Sequence, residues 1–93
     1  MNKRTLFVSN LPTNISKRQL HSAFESFGNV TSIEIPNSTI VKYNGCAFIV
    51  FSSVFSADKA MIMNGQPIGQ NDVHVKKARD KELSFFDDVQ LET

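Results

Sequence analysis

Three observations predict an α+β sandwich for this chain: a four-stranded antiparallel sheet with two helices on one face. Strand-like and helix-like runs follow one another in the order β-α-β-β-α-β. Each helical run carries a single apolar stripe, enough to cover one side of a sheet. The stretch NGCAFIVF (44–51) is apolar at nearly every position, the pattern of a strand covered on both faces. A chain of 93 residues has two helices for one face and none for the other, so the second face becomes the functional question.

The elements can be justified in order. RTLFVSN places Leu6 and Val8 on one side and Thr5, Phe7 and Ser9 on the other, a period of two. The chain turns through Asn10-Leu11-Pro12, and ISKRQLHSAFESFG then has helical period. Ser16 with Gln19 forms a capping box, Gly28 suits the position after the C-terminus, and Leu20, Ala23, Phe24 and Phe27 make the stripe. Val30, Ile33 and Ile35 mark a second strand, closed by Pro36-Asn37-Ser38, and NGCAFIVF is the third. Ser53 can cap a second helix, VFSADKAMIM, with Val54, Ala57, Ala60 and Met61 inward and Asn64-Gly65 as its stop. Asp72 to Lys76 alternate as a last strand, Val73 and Val75 on one side. This is the split βαβ, or ferredoxin-like, order. Right-handed crossovers place both helices on the same face. The expected core is Leu6, Val8, Ile33, Ile35, Ala47, Ile49, Phe51, Val73 and Val75 under the two stripes.

Parity leaves Phe7, Cys46, Phe48 and Val50 on the face without helices. Aromatic rings there serve folding poorly and fit a flat ligand, and a base stacked on such a ring gains about 1–3 kcal/mol. Ser9, Ser32, Glu34, His74 and Lys76 surround them and can meet base edges or phosphate. Lys3, Arg4, Lys42, Lys77, Arg79 and Lys81 lie near strand ends, where a backbone can track past. Aromatics interleaved with cations are the pattern of single-strand binding.

Composition narrows the alternatives. One cysteine, Cys46, excludes an intramolecular disulfide and a zinc quartet. No run approaches the roughly 20 apolar residues of a membrane helix. MNKRTLFVSN is too short in its apolar part for a signal peptide, so NIS, NVT and NST are expected to be idle as glycosylation sites. A soluble, reducing, intracellular setting is expected. His21 and His74 lack the spacing of metal ligands, and no cofactor is expected. Residues 1–81 hold ten Lys and Arg against five acids, +5, and residues 82–93 hold four acids and no base, −4. The expected division is a domain over 1–81 and an acidic tail over 82–93. In the tail, Leu83, Phe86 and Val89 allow a short third helix over Val50 and the sheet edge, or a frayed end. Lys17 and Arg18 open the first helix and are expected to face solvent.

With those residues in view, the chain resembles the RNA recognition motif (RRM) family over about residues 4–79. LFVSNL (6–11) is similar to the family's RNP2 motif and NGCAFIVF to its octamer RNP1, in the expected order and distance. The resemblance implies a single-stranded RNA-binding module of RNA processing, in the nucleus and monomeric. By position, Phe7 would be the RNP2 stacking aromatic and Phe48 the aromatic at the fifth RNP1 place. Taken together, the sheet-face reading and the resemblance give the expected RNA-binding set Phe7, Ser9, Asn10, Glu34, Lys42, Asn44, Cys46, Phe48, His74, Lys76 and Arg79. Asn44 stands where the family usually has Lys or Arg, and Cys46 where it has Phe or Tyr. Two stacked bases and modest affinity are therefore expected, with Lys42 a candidate for the missing charge. Within the family, IVKYNGCAFIVF followed by SADKAMIMNG is most similar to a module of spliceosomal proteins that anneal small nuclear RNAs.

Two other classes fare worse. A protein-interaction module on the same fold would carry an acidic first helix and Arg-x-Phe after the second, where this chain has Lys17, Arg18 and GQPIGQ. The helical faces, the Phe85-Phe86 pair or further domains of a longer chain keep a protein partner open. An acylphosphatase-like enzyme would need an Arg in the loop after the first strand, and NLPTNIS has none.

Overall fold

The computed structural model describes residues 3–35 and 45–79. Strands β1 (Thr5–Ser9), β2 (Val30–Glu34), β3 (Ala47–Phe51) and β6 (His74–Lys77) form one antiparallel sheet in the order β2-β3-β1-β6. Helices α1 (Lys17–Phe24) and α2 (Val54–Ala60) pack on one face, as the split βαβ order predicts. A small hairpin, β4 (Pro67–Ile68) with β5 (Asn71–Asp72), precedes the last strand.

Local chemistry explains the helix starts. Ser16 Oγ accepts from the Gln19 N–H and Gln19 Oε1 accepts from the Ser16 N–H, which satisfies two end donors at once. Ser53 Oγ accepts from the Ser56 N–H in the same way. Both helices are shorter than their sequence patterns, because each tightens into a 3₁₀ turn, Glu25–Phe27 and Met61–Met63. Gly28 follows the first turn at φ 153°, and a Cβ there would collide with Ser56 of α2. Glycine at this point lets the two helices approach.

Leu6, Val8, Leu20, Phe24, Ala47, Ile49, Phe51, Ala57, Ala60, Val73 and Val75 are buried in one cluster between helices and sheet, with Ile33 and Ile35 packed partly against it. Val54 departs from expectation at 40% exposed. Small residues, Ser56, Ala57 and Ala60, form the buried face of α2 instead. Ser56 on this small side is the residue that approaches Gly28.

The last strand also differs. Asp72 belongs to the hairpin and Val73 interrupts the ladder: its N–H donates to Gln66 O (2.9 Å) and its carbonyl accepts from the Gly65 N–H (2.7 Å). Gly69, at φ 63°, supplies the left-handed residue of the hairpin turn. The segment GQPIGQ looks like loop because strands of two residues are too short to show a period.

Candidate nucleic-acid interface

Antiparallel register assembles a platform at the centre of the sheet face opposite α1 and α2. Phe7 on β1 lies directly opposite Phe48 on β3 and Lys76 on β6. The two rings sit 5.3 Å apart between centroids, tilted by 55°. Lys76 Nζ lies 5.5 Å from the Phe7 centroid, a cation–π distance. Ser9 and His74 are neighbours across β1 and β6 at one end, and Glu34 is opposite Phe48 on the other flank. Glu34 Oε2 accepts a long hydrogen bond from Ser32 Oγ (3.5 Å).

Exposure does not follow parity. Phe7 and Ser9 are half-buried and His74, Lys76 and Arg79 exposed, whereas Phe48 is 2% and Cys46 5% exposed. The octamer strand is therefore not open to solvent as its parity suggests. Alternation along a strand decides which side a side chain leaves from, and it is silent on what covers that side. Burial also pushes the Cys46 thiol above its ordinary pKa, which disfavours the reactive thiolate.

Two polar residues are engaged elsewhere. Asn10 takes φ 61°; its side-chain amide donates to Asp72 O (2.8 Å) and its carbonyl accepts from Asn71 Nδ2 (3.1 Å). It ties the loop after β1 to the hairpin, a role that an Asn just after a strand signals through its tolerance of positive φ. Lys77 Nζ donates to Lys3 O (2.9 Å) and Asp58 Oδ1 (2.5 Å), which turns its charge toward α2 and away from the platform. Lys42, Asn44, Lys81 and the whole of 82–93 lie outside the described residues.

A βαββαβ sandwich with a ring pair and an ammonium on the sheet face opposite its helices is the architecture of a class of nucleic-acid-reading domains. The RNA recognition motif family model matches residues 6–74, and the chain belongs to that family. It is an RNA-binding module. It is similar to the polyadenylate-binding protein RBP47A of Arabidopsis thaliana, 32% identical over 94% of this chain and 19% of the relative. Among solved structures, the three N-terminal RNA-binding domains of the yeast splicing factor Prp24 superpose with TM-score 0.77 and 33% identity, over 84% of this chain and 33% of that one. A Sxl-lethal protein/RNA complex gives TM-score 0.73 and 27% identity, over 82% of this chain and 47% of that one. The chain thus spans from about a fifth to under half the length of these relatives.

Proposed function

We propose that this module binds single-stranded RNA across β1, β3 and β6 in nuclear RNA processing, with pre-mRNA splicing and a small nuclear RNA as its most specific setting. The observation that carries this reading is the half-buried Phe7 ring, buttressed by Phe48 and flanked by Lys76. A base stacks on Phe7 while Lys76 meets the adjoining phosphate, so ring and charge act on one nucleotide. Phe48 packs beside Phe7 across the strand pair; for a second base to stack on it, its exposure must rise from 2%. Ser9, His74 and Glu34 flank the stack and can bond base edges. The module acts as a monomer, catalyses no step and needs no cofactor.

Amide NMR titration of the chain with mixed-sequence RNA oligomers tests this. Shifts should concentrate on β1, β3 and β6, and Phe7→Ala should weaken binding by about 1–3 kcal/mol. Shifts confined to the helices would overturn it. Phe55 and Ile62, 70% and 69% exposed and seven residues apart, favour a protein partner on the α2 side as the second reading. A partner there would move α2 resonances and leave β1 unchanged.

A further inference from the structure

A second surface lies around the corner from the platform. Along the outer side of α1, where it meets the edge of β2 away from β3, runs an open groove formed by two adjoining depressions of about 400 and 540 Å³ that share His21 and Val30. Lys17 and Arg18 line one end, and Ser22, Ser26 and Asn29 the other. All five are exposed. Glu25, the acid in the groove, is occupied by His21, whose Nδ1 lies 2.9 Å from its Oε2.

The charge placement is unusual for a helix. Lys17 and Arg18 occupy its first two positions and the first turn holds no acid, so cations sit at the positive end of the helix dipole. Helix stability disfavours that arrangement, and a polyanion in the groove reverses the sign of the effect. Beside the cations, hydroxyl and amide side chains are the other group that contacts phosphate and sugar oxygens. The edge strand adds backbone groups that point away from β3.

We propose that this groove is a sugar-phosphate track: an RNA strand leaving the platform over β2 continues along α1, with phosphates at Lys17 and Arg18 and sugar contacts at Ser22, Ser26 and Asn29. The track rests on the RNA-binding reading and makes no base contacts, so it adds affinity and length dependence without sequence preference. A protein segment in the same groove is the competing occupant.

The test uses the 93-residue chain and its Lys17→Gln/Arg18→Gln and Phe7→Ala variants. Single-stranded RNAs of about four and about twelve nucleotides span the range of small single-strand sites. The double Gln variant should bind the short RNA like the parent and the long RNA more weakly. Its log–log salt dependence with the long RNA should flatten by about 0.7 for each phosphate no longer neutralised, about 1.4 for both. Its melting temperature should stay level or rise, since the substitutions relieve the helix dipole, so unfolding cannot account for the weaker binding. Phe7→Ala should weaken both RNAs. Unchanged long-RNA affinity and salt slope in the double Gln variant, with Phe7→Ala still weakening both, overturn the track and leave the platform standing. Weaker binding by the double Gln variant with no effect of Phe7→Ala overturns the platform and with it the path from the platform into the groove. A parent chain that binds neither RNA overturns both.

Discussion

Phe7 and Phe48 face each other across β1 and β3, yet their replacements should behave differently. Phe7→Ala removes a half-buried ring outside the helix-facing core, so RNA affinity should fall while the melting temperature changes little. Phe48 is 2% exposed, and its replacement by Ala should also cost stability, up to the about 3–5 kcal/mol typical of buried Phe→Ala and comparable with Phe24→Ala. Denaturant unfolding of the three variants beside RNA titration separates the roles; a Phe48→Ala domain as stable as the parent would show that its burial contributes nothing. Cys46 follows the same logic. Replacing it with the family's usual Phe adds volume at a position 5% exposed, so about 1–3 kcal/mol of overpacking should accompany any gain in stacking. Its raised pKa predicts slow alkylation near neutral pH, accelerating in denaturant. The sign for stability is equally definite. The folded state holds the thiol proton more tightly, so nothing is lost below the unfolded thiol pKa of about 8.5, and stability declines as pH rises above it.

At the scale of elements, both N-caps were legible because a cap is a local device: Ser16 with Gln19, and Ser53, need only the right residue at the right spacing. Ser16→Ala should cost about 0.5–2 kcal/mol, read from thermal or denaturant unfolding. Gly28 carries two constraints, and its sequence position reveals only one. A helix stop favours glycine through its backbone, but the collision of any Cβ with Ser56 exists only because α2 docks there. Gly28→Ala should therefore exceed the about 1–3 kcal/mol of local strain alone, and adding Ser56→Gly should recover the contact part and leave the φ part. Full recovery in that double variant would mean that the backbone carries no strain.

Over the whole molecule, charge is the term that acts at a distance. Residues 1–81 carry +5 and 82–93 carry −4. Four negative charges tethered to the end of an RNA-binding body repel phosphate whatever path that segment takes. Removing residues 82–93 should raise RNA affinity at low ionic strength, with much of the gain lost near 1 M salt, where the screening length falls to about 3 Å. Affinity that drops on removal, at both salt concentrations, would instead assign Phe85 or Phe86 a stacking role. Asp58 shows charge working locally: it holds Lys77 beside α2, so the body's positive charge is not all available to RNA.

The order of the two helices and the four sheet strands, the two caps, most of the helix-facing core and the placing of Phe7 and Phe48 on one face were legible in the sequence alone. Each depends on periodicity or on contacts within a few residues, and a period of two or 3.6 is written directly into the chain. Tertiary structure decided the rest. It buried Phe48 and Cys46 on a face that parity marked as free, turned Lys77 toward Asp58, and set Asn10 against the hairpin. It also set Lys17 and Arg18 beside the β2 edge, where two solvent-facing cations become one wall of a groove. These outcomes depend on which distant segments meet, and no pattern within one segment encodes the surface that another brings to it.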